Sequence, residues 1–264
     1  MSDVIQVQDL AFAYPNGSTI FEAFSWQVEW GEAWAVLGPS GCGKTTLLYL
    51  LAGLRQPTAG QVLIDGQALT RPRPRTGLIL QDYGLLPWST VSDNAALGLK
   101  IRTLYGPDGV HTPADEEIDD GQTRVEYWLG RLGIDHVAGQ YPHQISGGQR
   151  QRAAIARTLV LRPDLLLMDE PFGALDALTR EDLQNLTLEL TTEQRLTMII
   201  VTHNIEEAVF MGKKILVLGQ PPNREAVVVH NPRAGGADYR QQDAFFAQCN
   251  GLRELMGEDA DVVA

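Results

Sequence analysis

The chain has 264 residues, 44% hydrophobic and 20% charged, with a formal net charge of −12. That is long enough for a large core and ordinary for a globular protein; the acidic balance argues against a sequence-independent grip on nucleic-acid phosphates. No apolar run reaches the roughly 18–20 residues that span a bilayer. Met1-Ser2-Asp3-Val4 lacks the basic and apolar regions of a signal peptide, and Cys42 and Cys249 form no ligand-spaced cluster. The expectation is a soluble, cytoplasmic protein in a reducing compartment.

In chain order, Val4 to Leu10 alternates like a strand, and Pro15-Asn16-Gly17 reads as a turn before a second strand from Phe21 to Trp30. Tyr14 lies at the end of the first strand, and two readings are open for it: a platform that stacks on adenine, or a half-buried aromatic at a strand end. Ala33 to Leu37 is an apolar strand. It feeds Gly38-Pro39-Ser40-Gly41-Cys42-Gly43-Lys44-Thr45, which fits G-x-x-x-x-G-K-[ST], and Thr46 to Leu51 continues as a helix. Strand, glycine-rich loop and helix in that order form a phosphate cradle. The glycines let backbone N–H groups turn inward, and the helix N-terminus adds partial positive charge. Lys44 can then reach the outer phosphates, and the Thr45 hydroxyl can hold Mg2+. Cys42 sits beside Lys44, so alkylation of its thiol is expected to block ATP.

Pro57 to Gly60 turns into a short strand, Gln61 to Asp65, and Arg71-Pro72-Arg73-Pro74-Arg75 reads as a solvated basic loop. Gly77 to Leu80 is a buried-strand pattern ending at Gln81. Residues 91–161 are helical in pattern and lack the βα rhythm, which marks a second lobe. Within it, residues 103–121 hold six acids and no Lys or Arg, and read as a flexible, solvated acidic loop. Ser146-Gly147-Gly148-Gln149 precedes a long helical pattern. Ser146 suits an N-cap, and this is a second anion site that one ATP held by one chain does not need; a nucleotide held by another copy explains it economically.

The βα rhythm returns at Leu165-Leu166-Leu167-Met168-Asp169-Glu170. Asp169 ends a buried strand and can support Mg2+; Glu170 can orient and polarise an attacking water. A helix from about Asp176, a strand from Thr197 to Val201, a helix from Asn204, and strands at 215–218 and 227–229 complete the pattern. His203, at the end of a core strand, would face the phosphate side. The fold expected is α/β: a P-loop NTPase core with a mostly parallel twisted sheet, an N-terminal antiparallel β subdomain and a helical signature subdomain. One domain would cover 1–264, divided as 1–90 (β subdomain and P-loop core), 91–161 (helical), 162–230 (rest of the core) and 231–264 (tail).

These motifs, in this order from Tyr14 to His203, resemble the nucleotide-binding subunit of an ABC transporter over nearly the whole chain. The resemblance implies ATP sandwiched between the P-loop of one subunit and Ser146-Gly147-Gly148 of a second, identical one, with Gln149 beside them. It implies that Gln81 reaches the metal and senses the membrane partner, that Thr46 joins the phosphate contacts, and that Asp176 couples the two sites. His203 would steady the γ-phosphate. Ile145 stands where that family usually has Leu, and residues 103–121 look longer than usual. Leu85-Leu86-Pro87-Trp88, Tyr141-Pro142-His143-Gln144 and Pro171 to Arg180 are similar to the nitrate/sulfonate/taurine importer group. The implied partners are transmembrane permease subunits and, indirectly, a solute-binding protein, with the chain peripheral on the inner face of the membrane. An exporter ATPase and a soluble ABC ATPase acting on nucleic acid are the alternatives. The first shares all the catalytic motifs; the second usually carries coiled-coil inserts or a second cassette, which this chain lacks.

Overall fold

The computed structural model describes residues 3–116, 121–236 and 238–257. In chain order the strands are β1 (Asp3–Ala13), β2 (Thr19–Glu29), β3 (Ala33–Leu37), β4 (Ala59–Ile64), β5 (Gln67–Ala68), β6 (Thr76–Ile79), β7 (Leu165–Asp169), β8 (Thr197–Thr202), β9 (Lys214–Val217) and β10 (Val227–His230). The helices are α1 (Lys44–Leu51), α2 (Val91–Tyr105), α3 (Gly121–Arg131), α4 (Gly147–Leu159), α5 (Ala177–Glu193), α6 (Ile205–Met211) and α7 (Asp243–Met256). The chain divides into two compact units, residues 1–72 with 191–264, and residues 73–190.

The first unit holds an antiparallel sheet in the order β2-β1-β4-β5 and the strands β10-β9-β3-β8. β3 pairs parallel with both β8 and β9, and β10 closes that side antiparallel to β9. β8 is buried at every residue, as its unbroken apolar run demands of a strand covered on both faces. The register matters for function. Leu37 pairs with Thr202, so the loop after β3 and His203 after β8 leave the sheet at the same edge. α1 follows within seven residues, with Leu47, Leu48, Leu50 and Leu51 at most 1% exposed. At ~1.5–3 kcal/mol per buried leucine, this is a large part of what holds the loop's base still.

The second unit holds the parallel pair β6 and β7 and the helices α2, α3 and α4. Expectation and structure part company in two places here. The acidic stretch 103–121 is not a loop throughout: α2 runs to Tyr105 and α3 starts at Gly121, while residues 117–120 lie outside the described part. Nor is it simply solvated. The Glu116 carboxylate takes a bond from Arg102 and one from Arg124, each at 2.8 Å, with all three side chains at most 10% exposed. Asp115 pairs with Arg75 at 2.6 Å. The basic loop is tied down likewise: Arg73 makes a two-pronged bond to Asp164 at 2.8 and 2.6 Å, and Arg102 donates to the Pro74 carbonyl at 2.6 Å. Charge counting along the sequence misses this, because the partners lie outside each run: Arg102 and Arg124 are 14 and 8 residues from Glu116, Arg75 is 40 from Asp115 and Arg73 is 91 from Asp164.

Candidate functional site

The loop 38–45 is built around three backbone demands. A Cβ on Gly38 would lie 2.6 Å from the Leu218 carbonyl oxygen, so close backbone passage excludes any side chain. Gly43, the N-cap of α1, has φ +108, and a Cβ there would meet Ile20 Cγ2 at 2.4 Å. Gly41 has φ +81 with open space where a Cβ would stand. Left-handed backbone costs glycine almost nothing, which is why the loop turns at these points. Pro39 and Ser40 form its crest, half-buried and exposed respectively.

Lys44 is 6% exposed and its ammonium donates to the Gly38 and Pro39 carbonyls at 2.8 and 2.9 Å. The lysine is thus folded across its own loop. Helix geometry gives the first-turn N–H groups of α1 no i−4 carbonyl, and the first turn holds no acid. With backbone donors and the Lys44 ammonium at this end and no acid in the first turn, a polyphosphate anion suits it. Thr46 is buried and its hydroxyl lies 2.8 Å from the Tyr14 phenol oxygen. Tyr14 is half-buried, edge-on to Phe12 at 5.1 Å, with the Arg55 guanidinium 5.0 Å from its ring centroid. Arg55 carries no motif, and sequence reasoning passed over it.

Cys42 corrects an expectation. It is 0% exposed, and burial pushes its thiol above the usual range, against a smaller downward pull from Lys44. Its side chain packs beneath the loop; only its backbone is available to a phosphate. Alkylation from solvent therefore has no route to it in the folded state.

His203 is exposed between β8 and α6. The turn that presents it is fixed on its far side: the Thr202 hydroxyl accepts from Asn204 N–H at 3.0 Å, and Asn204 caps α6 by accepting from Glu207 N–H at 3.0 Å.

In the second unit, Ser146 caps α4 in a reciprocal box. Gln149 N–H donates to the Ser146 hydroxyl at 3.2 Å, and Ser146 N–H donates to the Gln149 side-chain oxygen at 2.9 Å. So Gln149 shapes the helix start rather than projecting from it. Gly148 is needed for packing, since a Cβ there would lie 2.7 Å from Thr179 Cγ2. That contact sets the start of α4 against the turn that carries Asp176. The Asp176 carboxylate accepts from Thr179 N–H at 3.1 Å, and this bond with that to the Thr179 hydroxyl holds its pKa below the usual carboxylate range.

Gln81 is exposed, and the two residues beyond its neighbour are lashed to α4. Arg157 donates to the Tyr83 carbonyl at 2.8 Å and to the Gly84 carbonyl. No motif points to Arg157, which stands 76 positions from Gln81. Asp169 is 4% exposed at the end of the wholly buried β7. Glu170 follows with φ +44, a conformation that costs a non-glycine residue ~1–3 kcal/mol and concentrates at functional positions. Among the described residues no cluster of three or more His, Cys, Asp or Glu side chains could hold a metal. A Mg2+ that arrives with a nucleotide needs no such cage; one carboxylate and a hydroxyl beside phosphate oxygens suit it.

A glycine-walled loop on a helix N-terminus, beside a parallel sheet, defines a nucleotide-binding protein. The family model described as "ABC transporter" matches residues 21–173, and the chain belongs to the ABC transporter family. It is 38% identical over 227 residues to an aliphatic sulfonates import ATP-binding protein of Bacillus cereus, covering 84% of each chain. It is 40% identical over 227 residues to a taurine import ATP-binding protein of Pelagibacter ubique, covering 85% of this chain and 81% of that one. Among solved structures it resembles cbiO1 of Clostridium perfringens, part of the ABC transporter complex cbiONQ. The TM-score is 0.74 at 25% identity, over 96% of this chain and 100% of that one. The chain is accordingly an import-type ATP-binding subunit and an ATPase.

Proposed function

We propose that the chain powers the import of a small solute of the sulfonate, taurine or nitrate type, as an ATPase that dimerises head to tail around ATP. The observation that carries this reading is the likeness to import ATP-binding proteins over more than four-fifths of the chain. Tyr14 stacks on adenine. The backbone of Gly38, Pro39, Ser40, Gly41, Cys42 and Gly43 wraps the phosphates, and Thr46 contacts them from the first turn of α1. Lys44 leaves the Gly38 and Pro39 carbonyls and exchanges them for phosphate oxygens, a stronger charge-assisted pairing.

Thr45, Gln81 and Asp169 supply oxygen atoms to Mg2+, which when bound offsets charge on the transferred phosphoryl group. Glu170 aligns the attacking water and accepts its proton; help of this kind is worth ~10²–10⁴-fold. His203 steadies the γ-phosphate. Ser146, Gly147, Gly148 and Gln149 of one copy meet the γ-phosphate held by the other, and Asp176 links the two sites. ATP favours the closed dimer because only the closed state contacts it from both sides, and hydrolysis removes that difference.

The partners are a second copy of the chain, permease subunits docked near Gln81 and Trp88, and indirectly a solute-binding protein. Trp88 is 73% exposed, as a docking residue should be. The proposed place of the chain is peripheral, on the inner face of the membrane; among the described residues no helix is long and apolar enough to cross one. The test is co-purification from native membranes with mass spectrometry. A permease together with a solute-binding protein supports import. A permease without one moves the reading to export, and soluble partners alone overturn transport.

A further inference from the structure

Asn223 lies in the turn between β9 and β10, outside every motif of the family. It is 7% exposed, and both ends of its amide are used. Its Oδ1 accepts from Gly219 N–H at 3.0 Å, and its Nδ2 donates to the Cys42 carbonyl at 2.9 Å, with a longer contact of 3.4 Å to the Ile20 carbonyl. Its backbone is held as well. Asn223 N–H donates to the Ile20 carbonyl at 2.9 Å, and its carbonyl accepts from Glu22 N–H at 3.0 Å. Three stretches remote in sequence therefore converge on one buried side chain: the start of β2, the loop ahead of α1, and the turn after β9.

The bond to Cys42 has a geometric consequence. The Cys42–Gly43 peptide is trans and planar, so its carbonyl and the Gly43 N–H point in opposite directions. With the carbonyl fixed on Asn223, the Gly43 N–H is turned to the other face of the loop. The preceding residue is held on two sides, its carbonyl by Asn223 and its wholly buried side chain by the core, while the φ of +108 at Gly43 and the 2.4 Å from a would-be Cβ to Ile20 Cγ2 leave room for glycine alone.

We propose that Asn223 is a positioning residue for phosphate binding, which aims the Gly43 N–H and so orders the anion nest before the nucleotide arrives. The inference rests on residues 38–45 being the nucleotide loop, and it adds a determinant that the loop's own sequence does not contain. A binding site that is already ordered avoids the cost of ordering on binding, so the effect is read as affinity. Lys44 is held independently, by the carbonyls of Gly38 and Pro39, and its contribution should survive the loss of Asn223.

The experiment compares wild type with Asn223→Ala, and with Asn223→Ser as a second variant in case the first folds poorly. Calorimetry measures ADP and inorganic pyrophosphate, displacement measures adenosine, and amide NMR follows Gly43. ADP and pyrophosphate are expected to weaken by a common factor of about 3–10, the scale of one neutral hydrogen bond, while adenosine changes less than about twofold. The Gly43 amide resonance should move in the ligand-free variant. Unchanged ADP affinity in a folded variant overturns the proposal. So does equal weakening of adenosine and ADP with an unmoved Gly43 amide, which would mean general loosening. Wild-type protein that binds adenosine but neither ADP nor pyrophosphate would instead overturn the loop assignment itself.

Discussion

The phenolic oxygen of Tyr14 lies 2.8 Å from the Thr46 hydroxyl, and this one bond joins the proposed base platform to the first turn of the phosphate helix. It holds the ring at the mouth of the loop, while Arg55 rests 5.0 Å from the ring centroid. Two roles of Tyr14 can be separated. Tyr14→Phe keeps the ring and loses the bond, and should raise KM for ATP only about two- to fivefold. Tyr14→Ala loses the stacking surface as well, worth ~1–3 kcal/mol, and should raise KM about tenfold or more with kcat little changed. Steady-state ATPase assays decide this. Equal effects of the two variants would show that the ring itself contributes nothing.

Glu170 combines a proposed chemical role with left-handed backbone at φ +44. Glu170→Gln should bind ATP normally, lose at least about 100-fold in turnover and accumulate an ATP-bound dimer by size exclusion. Glu170→Gly should be as inactive but more stable, by about 1 kcal/mol, because the strain is relieved. A glycine variant no more stable than the glutamine variant would show that the conformation stores no strain.

Ser146 carries a structural bond and a proposed contact in trans. Ser146→Ala removes the cap of α4 and should cost about 1 kcal/mol in denaturant unfolding. Ser146→Arg should leave ATP binding to the monomer intact and abolish ATP-driven dimerisation. Loss of monomer binding in that variant would place Ser146 in its own chain's nucleotide site instead.

Cys42 and Cys249 are both buried, with thiol pKa values raised by that burial, the second to about 11. A raised pKa means less thiolate at pH 8, and thiolate is the species that reacts. Native protein should take up little iodoacetamide at pH 8, and both residues should label once urea unfolds the chain. Rapid native labelling of Cys42 with loss of ATP binding would contradict its place beneath the loop.

Glu116 sits between Arg102 and Arg124 with all three side chains nearly out of solvent. Glu116→Gln leaves two guanidinium groups without their carboxylate and should destabilise the protein by about 3 kcal/mol in urea titrations. A change under about 0.5 kcal/mol would show that water reaches the cluster freely.

Local order in the sequence was sufficient for the parts of this protein that are themselves local. The motif Gly38 to Thr45, the buried run ending at Asp169-Glu170 and the Ser146 cap each lie within about eight residues, so spacing and residue type made these motifs legible, although distant residues hold the loop in place. The alternation of strand and helix likewise announced the parallel core, since buried parallel strands must be continuously apolar. What only the tertiary structure decided lies in contacts between distant positions. Asn223 reaches Cys42 across 181 residues, Arg157 reaches Tyr83 across 74, and Glu116 is claimed by Arg102 and Arg124 from two different helices. A side chain's hydrogen bonds are set by what the fold brings within about 3 Å, and no periodicity or composition encodes that distance. For the same reason Cys42 read as a reactive thiol beside a lysine, and the fold turned it inward.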